Sequence, residues 1–141
     1  MTTRSIFPVV PAADVRRSRD FYRDLLDLTV VFDSDWYVQL HGGDETVQLG
    51  LVVLGHETVP DGFRGTPTGV LVSVEVDDVD AVHARAVAAG HEIALDLRDE
   101  EFGQRHFMTV DPDGVLVDVI TVIPYSGEVL AGGAVVGGQE G

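Results

Sequence analysis

The 141-residue chain carries 5 histidines, 24 acidic side chains and no cysteine, and these bound its chemistry. Without cysteine there are no disulfides, thiolate metal sites, iron–sulfur clusters or thiol nucleophiles. His41 and His106 fall on predicted strands, His83 on a predicted helix, and His56 and His91 near element ends. No two stand at i,i+2 on a strand or i,i+4 on a helix. His56-Glu57 and His91-Glu92 each lack the second histidine of an HExxH zinc helix. The chain has no GxSxG elbow, no P-loop and no GxGxxG after a strand. Gly132-Gly133 and Gly137-Gly138 precede no helix and make no phosphate cradle. Of the acidic pairs, Asp77-Asp78 reads as a helix cap and Asp99-Glu100-Glu101 as a solvated loop.

Those side chains must be positioned by a pattern that changes period along the chain. Ile6 to Val10 reads as a strand, broken by Pro11-Ala12-Ala13, with Asp14 placed to N-cap a helix. From Val15 to about Asp27 the residues Val15, Phe21, Tyr22, Leu25 and Leu26 recur at helical spacing. Strands follow over Thr29 to Phe32, Trp36 to His41 and Thr46 to Leu54, separated by the turns at residues 33–35 and 42–44. A stretch with Pro60, Gly62, Gly65 and Pro67 reads as a linker or a loop over a pocket. The order then repeats. Gly69 to Val76 is a strand, and a helix capped at Asp77-Asp78 runs to about Ala89, with Gly90 as its C′ residue. Glu92 to Leu97, Arg105 to Val110 and Val115 to Val122 are strands, the last two joined by the tight turn Asp111-Pro112-Asp113-Gly114. Past Pro124 the chain is Gly-rich and is expected to be a loosely held tail.

Two βαβββ halves laid on each other match from Val9 to Val15 and from Ser73 to Val79, so the unit is internally duplicated. The first strand and helix, with Asp14, Ser18 and residues 21–26, resemble those of the vicinal oxygen chelate superfamily. This is the group of glyoxalases, bleomycin resistance proteins and extradiol dioxygenases. The segment Phe102-Gly103-Gln104-Arg105-His106-Phe107, followed by the DPDG turn, resembles its closing hairpin. The resemblance covers residues 5 to 123. It implies an α+β fold of two tandem modules, about 5–54 and 69–123, joined by a linker at 55–68, with a curved mixed sheet around a cavity. The whole is expected to be one domain with a Gly-rich tail at 124–141.

Enzymes of this superfamily hold a divalent metal with four side chains, two from each module. Carried over one at a time, the positions fall on Phe7, on Leu49 within one residue, on Leu71 and on Asp118. Phe7, Leu49 and Leu71 have no lone pair to give, and Asp118 alone cannot fix a metal that wants three or four N/O ligands. A shift of one residue brings in Gln48 but no imidazole. The expectation is therefore no metal and no other cofactor. Strand alternation from Asp111 puts His106, with Met108, on the cavity side. Asp118 is expected there too, beside Phe7 and Leu71, where burial would raise its pKa. It is ranked as a ligand contact, then as a structural group bonded to Arg105 or Gln104, then as a general base.

Phe7, Phe32, Trp36, Tyr37 and Phe102 are expected to line the cavity, with Leu49, Leu71, His106, Met108 and Asp118 as further ligand contacts. The resemblance is strongest to the metal-free resistance proteins that sequester bleomycin or mitomycin, and Phe102-Gly103-Gln104-Arg105 with the DPDG turn is similar to the mitomycin-binding type, in which tryptophan usually stands at the position of Phe102. The expected function is thus binding of a planar or cationic drug-like small molecule by stacking and cation–π contact. The alternative is an enzyme of the superfamily, of lyase, isomerase or dioxygenase type, with Asp118 or His106 as acid–base. A regulatory protein for an unknown metabolite is a third reading. The net charge of −15 excludes a nucleic-acid backbone as partner. No apolar run would span a bilayer and no signal peptide opens the chain, so a cytoplasmic protein is expected, and the resemblance implies a homodimer.

Overall fold

The computed structural model describes residues 1–127; the remainder of the expected Gly-rich tail lies outside the described residues. The elements in order are β1 (Val9–Ala12), α1 (Val15–Leu26), β2 (Thr29–Asp33), β3 (Tyr37–His41) and β4 (Gln48–Val53). The second set is β5 (Leu71–Glu75), α2 (Val79–Ala88), β6 (Ile93–Glu100), β7 (Gln104–Val110) and β8 (Leu116–Val122). They form two four-stranded sheets of equivalent order, β1-β4-β3-β2 and β5-β8-β7-β6. The repeated βαβββ pattern is therefore present as two repeated α+β modules. No helix among the described residues is long and apolar enough to cross a membrane.

The chain divides into two compact units, Met1–Val72 with Val110–Val115, and Ser73–Thr109 with the chain from Leu116. In the first unit, β1 runs parallel to β4, and β4, β3 and β2 are antiparallel. The pairs Val38↔Leu51 and Leu40↔Leu49 lie on one face, and α1 packs on it. Period two in the strands and 3.6 in the helix bring these residues together with Val15, Phe21, Tyr22, Leu25 and Leu26, all buried. α1 starts where Asp14 accepts from the backbone N–H of Arg16 and Arg17, and ends at Asp27, whose φ of 57° closes the helix in the left-handed region. In the second unit, α2 buries Val79, Val82 and Ala86. Its end is a Schellman motif, with Gly90 N–H donating to Val87 O and His91 N–H to Ala86 O.

Two strand limits differ from the sequence reading. β1 starts at Val9 and continues through Pro11 to Ala12, because it is an edge strand and its far side needs no backbone donor. β6 runs on to Glu100, through two register shifts, so part of the expected acidic loop is strand.

The DPDG turn belongs to the first unit, and its carboxylates hold α1. Buried Asp111 uses one oxygen to accept from the backbone N–H of Asp113 and Val115 and the other to accept from the Tyr22 hydroxyl at 2.7 Å. Asp113 accepts from Ala13 N–H at 3.0 Å and from Ser18 Oγ at 3.2 Å. Tyr22 is fully buried, and its burial and then the nearby Asp111 carboxylate push its pKa far above the usual tyrosine range. Tyr22→Phe should cost roughly 1.5–3 kcal/mol in chemical denaturation, the worth of a hydrogen bond to a charged group. A raised folded-state pKa adds stability below the unfolded value and loses it above. Stability should therefore fall as pH passes about 10 in the parent protein, and fall less steeply in Tyr22→Phe.

Candidate functional site

In the first unit the face opposite α1 is built from the alternate residues of the same strands: Val9 and Pro11, Tyr37, Gln39 and His41, Gln48, Gly50 and Val52. A polar chain crosses it. Tyr37 Oη donates to Gln39 Oε1 at 2.5 Å, Gln39 Nε2 donates to Gln48 Oε1 at 2.9 Å, and Gln48 Nε2 donates to the Glu45 carbonyl at 2.6 Å. Every amide in this chain has a partner, which fixes which end of each side chain is oxygen. Gly50 makes room for it: a Cβ there would collide with the Tyr37 hydroxyl and crowd Val9. Burial raises the pKa of the Tyr37 phenol, so it stays a neutral donor.

Next to this chain lies an apolar cavity of about 300 Å³ lined by Val9, Trp36, Tyr37, Val52, Thr58 and Val59. Trp36 is positioned by a turn that Ser34 closes, its hydroxyl accepting from Tyr37 N–H at 3.0 Å and donating to Tyr37 O at 2.8 Å. The carbonyl of Trp36 accepts from Val53 N–H at 2.8 Å. Its indole is half-exposed and stacks on the His56 ring, with centroids 4.3 Å apart and planes 15° from parallel. Thr58 N–H donates to His56 Nδ1 at 3.2 Å, which leaves Nε2 as the protonated nitrogen of the neutral ring. Phe32 extends the aromatic row, its ring 6.3 Å from Tyr37.

In the second unit the corresponding chain is charged. His106 Nδ1 lies 2.8 Å from Asp118 Oδ1 and His106 Nε2 lies 2.8 Å from Glu100 Oε2. Arg98 Nε donates to the same Glu100 oxygen at 2.7 Å. A neutral imidazole has one N–H, and would turn its other lone pair against a carboxylate, so both nitrogens carry protons here. Burial pulls the His106 pKa down, and the hydrogen bonds to Glu100 and Asp118 outweigh it, leaving the value raised. The Glu100 carboxyl is held below its usual range by His106 first and Arg98 second. Arg105 points to the other side, to Asp80 and Asp99 at 2.9 Å each, so the partner of Asp118 is His106 and neither Arg105 nor Gln104.

Of the residues expected to contact a ligand, the structure brings Trp36, Tyr37 and Phe32 together in the first unit and His106 and Asp118 together in the second. Met108 shares the His106 face of β7 and is half-buried. Phe7, Leu71 and Phe102 are exposed, ahead of β1, at the start of β5 and in the β6–β7 turn. Leu49 is corrected: it is buried opposite Leu40 on the face covered by α1, and its neighbours Gln48 and Gly50 occupy the other face. Val9, Val52, Thr58 and Val59 were missed. Alternation from Leu51 places Val52 on the cavity face, and Thr58 and Val59 lie in the stretch read as a loop over a pocket.

The metal implied by the resemblance does not fit these residues. Phe7 and Leu71 are hydrocarbon, Leu49 faces the helix, the Gln48 amide is engaged at both ends, and Asp118 accepts from an imidazolium. Among the described residues no group of three or more His, Cys, Asp or Glu is arranged to hold a metal ion.

The model of the Glyoxalase/Bleomycin resistance protein/Dioxygenase superfamily matches residues 6–119. Among solved structures, TioX from Micromonospora sp. ML1 is 21% identical with a TM-score of 0.71, over 86% of this chain and 100% of that one. TnmS3, an antibiotic binding protein from Streptomyces sp. CB03234, is 23% identical with a TM-score of 0.67, over 86% and 96%. Lactoylglutathione lyase from Agrobacterium tumefaciens is 22% identical with a TM-score of 0.66, over 82% and 91%. No curated protein matches the chain. These likenesses show the fold, and the family match spans most of the sequence: the chain belongs to the glyoxalase/bleomycin resistance protein/dioxygenase superfamily.

Proposed function

We propose that this chain is a metal-free small-molecule-binding protein that sequesters a planar, largely apolar compound of the antibiotic kind. The observation that carries this is the first-unit cavity, about 300 Å³ in volume, walled by Val9, Trp36, Tyr37, Val52 and Val59 and bordered by the Tyr37–Gln39–Gln48 chain. A mainly apolar wall with a few fixed polar groups at one side is what orients a small ligand. No carboxylate lines this cavity, so a cationic group on the ligand would be met by the aromatic faces of Trp36 and Tyr37 rather than by an ion pair. The indole of Trp36 offers a stacking surface, as does Phe32 beside Tyr37. The likeness to the antibiotic binding protein TnmS3 favours this reading, while the likeness to a lactoylglutathione lyase marks what the fold alone leaves open.

The proposal extends to a cytoplasmic homodimer. Its support is the set of large apolar side chains that one chain leaves exposed, with Ile6 at 86%, Phe63 at 77% and Val70 at 58%. A second copy covering them would leave a single sedimenting species of twice the chain mass; a monomer at micromolar concentration would remove this part.

Trp36 is the only tryptophan, so its fluorescence reports on the cavity. Titration with metal-free bleomycin, mitomycin C and the neutral apolar probe N-phenyl-1-naphthylamine should give saturable quenching by at least one, at one equivalent per chain. Gly50→Ala, which drives a methyl group against the Tyr37 hydroxyl, should weaken that binding by about tenfold while the helix signal in circular dichroism is kept. Quenching by none of the three, or equal affinity in Gly50→Ala and in Val59→Asp, would overturn the proposal.

A further inference from the structure

The charged chain of the second unit shares no residue with the lining of the first-unit cavity. Two cationic donors converge on one oxygen, Arg98 Nε at 2.7 Å and His106 Nε2 at 2.8 Å from Glu100 Oε2. The imidazolium is anchored from behind. Its Nδ1 donates to Asp118, which is buried on the central strand β8, and the His106 side chain itself is 5% exposed. Its Nε2 proton is therefore directed at one place, and that place holds a carboxylate supplied by the last residue of an edge strand.

The three groups at that place differ in how firmly they are held. His106 is fixed by Asp118 and by burial. Arg98 is 57% exposed and Glu100 20% exposed, so water reaches the pair. Glu100 ends β6, and rotation of its side chain alone would carry its carboxylate into solvent without breaking any backbone pair of the β6–β7 ladder. An incoming carboxylate oxygen would inherit both charge-assisted hydrogen bonds, and Glu100 would exchange them for water. The exchange conserves the number of hydrogen bonds and keeps one carboxylate against the two cations, while the site as a whole gains one negative charge. The overall charge of −15 penalises multiply charged anions more than single ones, which selects a monoanion.

We propose that Arg98 and His106 form a subsite for the carboxylate, or an equivalent singly charged oxyanion, of a small molecule, and that Glu100 is the chain's own exchangeable occupant of it. The subsite lies wholly within the second unit, so it stands or fails independently of ligand binding at Trp36.

The test uses the full chain labelled with ¹⁵N-histidine at low ionic strength, with acetate and benzoate as probes and benzamide and chloride as controls. His106 ring signals are assigned by their loss in His106→Gln. In the parent protein benzoate should shift the His106 Nε2 signal saturably, and benzamide should not. In Glu100→Ala, where the competitor is gone, the benzoate affinity should rise by about tenfold, and that gain should be lost in Arg98→Gln/Glu100→Ala. Acetate should also raise the thermal midpoint of Glu100→Ala more than chloride at equal ionic strength. If Glu100 is only a structural ion pair, benzoate will leave the His106 Nε2 signal of the parent protein unshifted, or chloride will match the carboxylates, and either result overturns the proposal. If Glu100→Ala does not fold, Glu100→Gln carries the same comparison, and no gain in benzoate affinity there overturns it as well.

Discussion

The structure depends on one constraint of strand geometry: each four-stranded sheet has a helix on one face, and period two forces every strand to serve two environments. On the helix side the requirement is hydrocarbon, met by Val38, Leu40, Leu49 and Leu51 under α1 and by Phe107, Val117 and Val119 in the second unit, all buried. On the opposite face the same strands supply Tyr37, Gln39, Gln48, Gly50 and Val52 in one unit and His106, Met108 and Asp118 in the other. A side chain on that second face is available for binding because it is not needed to hold the helix.

Both duplicated modules have used that freedom to run a polar chain across neighbouring strands, but with different chemistry. In the first unit the chain is neutral, a phenol and two amides, and it ends beside an apolar cavity with a stacked tryptophan. In the second it is ionic, with His106 between Asp118 and Glu100 and Arg98 beyond. A buried carboxylate without a partner would be costly, and one next to an imidazolium is not. Asp118 is thus satisfied within the chain by His106.

Much of the fold was legible in the sequence because its signals are local and repeated. Asp14 and Asp78 cap helices, Gly90 closes one, and the helix-to-strand change of period recurs in order. The resemblance added the superfamily. The site was legible only in part, and the reasons are particular. Leu49 went to the wrong face because the transfer had an uncertainty of one residue, and one residue in a strand reverses the side chain. Phe32 sits with Gln39 only because the register shifts between Val30 and Phe32. The pairing of His106 with Glu100 required β6 to run further than its hydrophobic pattern, through two irregularities, to reach Glu100. The stacking of His56 on Trp36 is a loop-to-strand contact that no periodicity encodes.

The central claim is that the polar groups on these faces are satisfied by one another and need no metal. It is tested most directly by the metal content of the full chain purified without chelator, with Zn, Ni, Mn and Fe each then offered back. The account predicts less than about a tenth of an equivalent bound, and no rise in the thermal midpoint with any of the four. One tightly held equivalent per chain, with stabilisation, would mean that Asp118 is a ligand after all and that the face of the second sheet is an enzyme's metal site.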